Sequence, residues 1–221
     1  TAKAHETGAN LVYIANPDNP MGTWHDGARI TAMLDDLPEG CLLVLDEAYV
    51  EFAPEGTAAP VAPDDPRVIR MRTFSKAYGM AGARVGYAVG APDLIRSFDK
   101  IRNHFGMNRL SQIGALAALQ DHDWLTQTRE NVALARDRIT GIAQETGLGA
   151  LPSATNFVAV DCGVDGDFAR CVLDGLVARG VFVRMPFVAP QNRCIRISCG
   201  PEAELDRLAA ALPEALKDAR R

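Results

Sequence analysis

The chain has 221 residues, 48% hydrophobic and 23% charged, with aromatics at 6% and a formal net charge of −5. This is the composition of a globular protein of one large or two modest domains. Its lysines and arginines form no long runs, so no nucleic-acid or membrane-surface partner is expected, and no apolar stretch approaches the roughly 18–20 residues of a membrane span.

The opening, TAKAHETGANLVYIANP, has no methionine and no signal-like apolar core, and a strand comes almost at once. It reads as the middle of a protein more than its start. Leu11 to Ala15, Cys41 to Leu45, Val68 to Met71 and Val85 to Val89 are short, continuously apolar runs, the pattern of buried and mostly parallel strands. Between the first two, DGARITAMLDDLPEG predicts a helix capped by Asp26 and stopped at Pro38-Glu39-Gly40. Strand, crossover helix, strand is the βαβ unit of an open α/β sheet.

From Ala91 the pattern turns helical, with Leu110, Ile113, Leu116 and Ala117 forming one stripe and Leu125, Val132, Ala135 and Ile139 a second. NFVAVDC, VFVRMP and CIRISCG then read as strands, with helices at DFARCVLDGLVARG and EAELDRLAAALPEAL. That order is α+β and differs from the first half. The expected domains are therefore 1–121, with a mostly parallel sheet, and 122–221, a smaller α+β domain with its linking helix.

The five cysteines include no C-x-x-C pair and are expected to be reduced core thiols of a cytoplasmic protein. His122 lies between Asp121 and Asp123. Three successive positions cannot point one way on a helix, so a solvated loop is expected there and no metal site.

Four stretches carry candidate chemistry. NPDNPMG (16–22) follows the first strand, where turn chemistry and ligand binding both occur. LLVLDEAYVEF ends a buried strand with Asp46 and Glu47. The same ending serves magnesium in P-loop ATPases, but no G-x-x-x-x-G-K-[ST] accompanies it here. RTFSKAYGMAGARVG brings Thr73, Ser75, Lys76 and Arg84 together with glycines that do not fit G-x-G-x-x-G. Thr73-x-x-Lys76 matches Ser-x-x-Lys only in part and without its partner motifs. A lysine whose pKa burial and neighbouring cations can lower suits Schiff-base formation with a carbonyl, and hydroxyls with an arginine suit a phosphate. Together with a strand-end aspartate, these are the requirements of pyridoxal phosphate (PLP). Each piece alone has a plain structural reading. Finally, Arg184 and Arg196 lie in apolar runs, where an arginine either snorkels or meets an anion.

In these segments the chain resembles the fold-type I PLP enzymes of the class I/II aminotransferases, closest to their histidinol-phosphate branch. The matches are N-P-D-N-P-M-G (16–22), D-E-A-Y-V-E-F (46–52) and R-T-F-S-K-A-Y-G-M-A-G-A-R-V-G-Y (72–87), followed in order by PSATNF and RISCG. The resemblance implies that Lys76 binds the cofactor covalently and moves the proton, that Asp46 holds the pyridine nitrogen, and that Tyr49 and Asn19 bond the ring's phenolic oxygen. It implies phosphate binding by Thr73, Ser75 and Arg84, and substrate-anion binding by Arg196, with Arg184 as a second arginine. A homodimer acting on small amino-acid and 2-oxo-acid substrates is the implied assembly.

Met21 stands where the family usually has threonine, a packing change expected beside the cofactor. RMPFVAPQNR departs from the usual histidinol-phosphate pattern and leaves the substrate open. An aromatic aminotransferase, a phosphothreonine-type decarboxylase and a non-catalytic PLP-binding module stay as alternatives. The family also carries a long segment ahead of Thr1 that supplies further cofactor walls.

Overall fold

A computed structural model describes residues 1–220. The chain divides into two compact units, Thr1–Asp18 with Trp24–Thr128, and Asn19–Thr23 with the chain from Arg129 onward.

The first unit is built on four strands, β1 (Leu11–Ala15), β2 (Leu42–Asp46), β3 (Val68–Thr73) and β4 (Gly86–Gly90), in the order β1-β2-β3-β4. The first three run parallel and β4 returns antiparallel to β3. A short helix α1 (Ala2–Thr7) precedes β1, so the first element is a helix, not a strand. Helix α2 (Gly27–Asp35) makes the crossover from β1 to β2 and buries Ile30 and Leu34 against Leu43, Leu45 and Val68. Strand alternation sends these side chains to one face and leaves Tyr13, Ala15, Val44 and Asp46 on the other.

Asp26 occupies the position before α2 in extended conformation, but its side chain makes no capping hydrogen bond. The start of the helix is instead fixed by close packing. A Cβ on Gly27 would lie 2.3 Å from the Ala58 carbonyl oxygen, so only glycine fits. The hairpin partner of Thr73 is Gly86. There a Cβ would come within 2.8 Å of the Arg72 carbonyl oxygen, which lets the β4 backbone lie close to β3.

Helix α3 (Pro92–Ser97) follows β4, and α4 (Arg109–Gln120) is capped by the Asn108 side chain, which accepts from the Ser111 N–H at 2.8 Å. The Ser111 hydroxyl donates to the Ala83 carbonyl at 2.7 Å, and Ala115 packs on Phe74 and Val85. Thus α4 braces the segment between β3 and β4.

Long helix α5 (His122–Glu145) begins in the first unit and ends in the second. The contact division falls after Thr128, inside this helix, whereas the sequence suggests residue 121. His122 is the first residue of α5 and not part of a loop. No group of three or more potential metal-ligating side chains occurs among the described residues.

In the second unit β5 (Gly149–Ala150), β6 (Phe157–Asp161) and β7 (Cys194–Ser198) form an antiparallel sheet in that order. Helices α6 (Gly166–Ala178) and α7 (Glu202–Ala219) pack with α5 over one sheet face. Ile139, Val160, Val172, Leu176, Ile195 and Leu212 are fully buried there. The Asp165 carboxylate caps α6 by accepting from Phe168 N–H at 2.9 Å. The run VFVRMP does not form the strand its apolar pattern suggests. It makes one bridge, Arg184 to Arg196, and Pro186, lacking an N–H, cannot extend it into a ladder. All five cysteines are free thiols; Cys171 on α6 is exposed, and Cys41, Cys162 and Cys194 are buried.

Candidate functional site

In the first unit the chemistry gathers at the carboxyl ends of β2 and β3. Parallel pairing sets Ala15 beside Asp46 and Asp46 beside Met71, and Lys76 follows β3 by three residues. The Asp46 carboxylate is held at both oxygens. Oδ1 accepts from Ala48 N–H at 2.9 Å, and Oδ2 accepts from the Tyr13 hydroxyl at 2.6 Å. Both donors are neutral, and among the described residues Asp46 forms no ion pair. Burial first, then the hydrogen bond to Asp46 and the nearby negative charge, push the Tyr13 phenol up to about 12.

Lys76 is half-buried, with its Nζ 5.1 Å from the centroid of the buried Tyr49 ring, within cation–π range. Its turn is shaped locally. The Thr73 hydroxyl accepts from Ser75 N–H at 3.0 Å and lies 3.4 Å from the Val85 carbonyl oxygen, to which it donates. Arg84 has φ of 54°, the one non-glycine left-handed residue among those described. It is exposed, and its guanidinium donates to the Ala81 carbonyl at 2.8 Å. Left-handed backbone costs a residue with a Cβ roughly 1–2 kcal/mol, and such strain concentrates where a side chain must be aimed.

Behind this cluster lies a charged network. Glu47, 1% exposed, accepts from Arg70 Nε and Nη2 at 3.0 and 2.9 Å and from Arg72 Nε at 2.8 Å. Arg72 also reaches Glu51 at 3.5 Å. Burial raises the Glu51 pKa; the Arg72 charge opposes this and the Glu47 charge adds to it. The network ties residues 46–51, which carry Asp46 and Tyr49, to the strand that leads to Lys76.

The second unit holds Asn19, Arg184 and Arg196. Asn19 Oδ1 accepts from Arg196 Nη1 at 2.6 Å, and the Arg196 guanidinium carbon sits 4.7 Å from the Phe157 ring centroid. Arg184 and Arg196 exchange both backbone hydrogen bonds, at 3.1 and 2.6 Å, so their side chains leave the same face. Both line a cavity of about 610 Å³, together with Asn19, Arg170, Met185 and Phe187. The loop carrying Asn19 is locked from below. Ala154 N–H donates to the Gly22 carbonyl at 2.9 Å, and at Gly22, with φ of +80°, a Cβ would meet Ser153 Oγ at 2.6 Å. Met21 is buried against Ala159 and Cys194. It is therefore a core residue of the second unit.

A family model described as "Aminotransferase class I and II" matches residues 1–212. The chain belongs to this family. It is 39% identical over 221 residues to histidinol-phosphate aminotransferase 1 of Nitrosococcus oceani, covering 99% of this chain and 59% of that protein. The crystal structure of histidinol-phosphate aminotransferase from Sinorhizobium meliloti in complex with pyridoxal-5'-phosphate superimposes with a TM-score of 0.95 at 55% identity, covering 98% of this chain and 60% of that one. L-threonine-O-3-phosphate decarboxylase from Porphyromonas gingivalis matches with a TM-score of 0.76 at 23% identity, a likeness of fold alone. The fold is the type I fold of PLP-dependent transferases. The chain spans about three fifths of the length of these relatives.

The structure gathers Asp46, Tyr49, Thr73, Ser75, Lys76 and Arg84 in the first unit, and Asn19, Arg184 and Arg196 in the second. Sequence reading missed Tyr13. In a strand a tyrosine reads as an ordinary β-former. The available signal was its place two residues before Ala15 on the face that carries Asp46.

Proposed function

We propose that the chain is the greater part of a PLP-dependent aminotransferase of histidinol-phosphate type, moving an amino group between an amino acid or amino alcohol phosphate and a 2-oxo acid. The observation that carries this reading is the pairing of a Lys76 amine without hydrogen bond or ion pair among the described residues with an Asp46 carboxylate held only by neutral donors. The donor set fits the group. An amine is available for an aldehyde carbon, a carboxylate without a cation for a ring N–H, and hydroxyl, backbone and guanidinium donors for a phosphate. The 55% identity to a PLP-bound histidinol-phosphate aminotransferase supports the same cofactor and the same substrate class.

When bound, PLP supplies an electron sink for charge left on the substrate's Cα. Lys76 would hold the group covalently through its amine and would move the proton at the substrate's Cα. Asp46 keeps the ring nitrogen protonated, because a carboxylate without a competing cation stabilises an adjacent N–H⁺. Tyr49 lies under the lysine and, with Asn19, donates to the ring oxygen. Thr73, Ser75 and Arg84 hold the phosphate. Arg196 takes the substrate anion and Arg184 a second one. As domains, we take 1–121 as cofactor-binding and 122–221 as the smaller substrate-side domain.

We assign the protein to the cytoplasm on its five free thiols, and to a homodimer on the exposed apolar face of α4. Borohydride reduction of the full-length protein should fix a pyridoxyl group on the peptide containing Lys76, and Lys76→Ala should abolish both the adduct and the visible absorbance. A cofactor-loaded protein lacking both would overturn the assignment. A donor panel of histidinol phosphate, phenylalanine, tyrosine and leucine tests the substrate. Preference for an aromatic amino acid would replace the histidinol-phosphate reading.

A further inference from the structure

Asp46 is the residue that would tune the ring nitrogen, so whatever orients its carboxylate enters the chemistry at one remove. The Ala48 N–H fixes Oδ1 from the chain that follows the aspartate itself. The bond to Oδ2 comes from a different strand: Tyr13 sits on β1, diagonal to Asp46 across the parallel pair, and its phenol reaches the carboxylate at 2.6 Å. A bond this short between a hydroxyl and a carboxylate belongs to the strong, charge-assisted class. Tyr13 is 58% exposed as a residue, so the contact is not an accident of core packing. The other charge acting on the phenol is Asp18, beyond the end of β1, and no cation is among the influences on it.

We propose that Tyr13 is a positioning residue for Asp46, its hydroxyl fixing the carboxylate's rotamer and drawing off part of its charge so that Asp46 holds a ring nitrogen in one orientation and with a set strength. The inference rests on the PLP reading above and adds a residue to it. Tyr13 touches neither cofactor nor substrate in this role. Without the phenolic hydroxyl the carboxylate would turn about its Cβ–Cγ bond and meet the nitrogen with poorer alignment.

The test is a double-mutant cycle in the full-length protein, read as PLP affinity by absorbance titration. Tyr13→Phe should weaken PLP binding roughly 10-fold, the equivalent of about 1.4 kcal/mol for one charge-assisted hydrogen bond. In an Asp46→Ala background the same change should alter affinity less than about 2-fold. Equal losses in the two backgrounds, or no loss in either, would overturn the proposal. A second readout needs no cofactor: NMR of labelled tyrosine Cζ should show the Tyr13 phenol falling from about 12 toward the ordinary tyrosine value in the Asp46→Ala variant. An unmoved phenol would equally overturn it. If this readout succeeds while wild-type protein fails to bind PLP, the cofactor reading has failed and the contact has not.

Discussion

At the scale of single residues, Arg84 is the clearest case of a conformation kept against its local cost. Only its side chain argues for it, since a glycine would adopt φ of 54° without strain. Arg84→Gly is therefore expected to raise the stability of cofactor-free protein by up to about 1 kcal/mol while weakening PLP binding at least roughly 10-fold through loss of a charged phosphate donor. Urea denaturation and PLP titration of one preparation check both halves. A variant losing stability and affinity together would mean that Arg84 braces the turn instead of gripping a ligand. Lys76 and Asp46 stand out as candidates in the sequence because each lies in a motif of adjacent residues. Tyr13 does not, because its partner lies 33 positions away.

At the scale of elements, the Glu47–Arg70–Arg72–Glu51 network joins the segment after β2 to β3. Two carboxylates and two guanidiniums balance in charge, but Glu51 is buried with neither oxygen in a hydrogen bond. Its raised pKa has a definite consequence for stability. Between the unfolded carboxylate value, about 4.3, and the raised native value, the native state keeps a proton that the unfolded chain has lost. Stability contributed by the protonated group is thus full below the unfolded value and declines as pH rises through the native one. Glu51→Gln should remove that decline. Urea midpoints between about pH 4 and pH 8 should then differ from wild type chiefly at the upper end. A difference confined to the acid end would contradict the direction assigned to Glu51. Strand and helix order in this unit follows from apolar runs and their period. The missing VFVRMP strand shows where period fails, since it reports burial and not whether the backbone finds a partner.

At the scale of the whole molecule, helix α4 presents Leu110, 83% exposed, with Ile113, Leu116 and Leu119 along its outer side, while Ala115 faces inward. Apolar side chains at helix spacing on solvent mark an unpartnered surface. We expect this face to be covered in the homodimer proposed above for the full-length protein. Leu110→Glu with Ile113→Glu should convert that dimer to monomer in sedimentation velocity, and an intact dimer would assign the face to another contact.

The sequence by itself determined the family and the alternation of strand and helix, because these are carried by residues adjacent along the chain or by a repeating period. Tertiary structure decided which strand ends meet. It placed the Tyr13 phenol on Asp46, bonded Arg196 to Asn19 across 177 positions, and buried Met21 in the second unit. Parallel pairing with a fixed register brings such residues within hydrogen-bond reach, and register is a property of strands held together, not of any one of them.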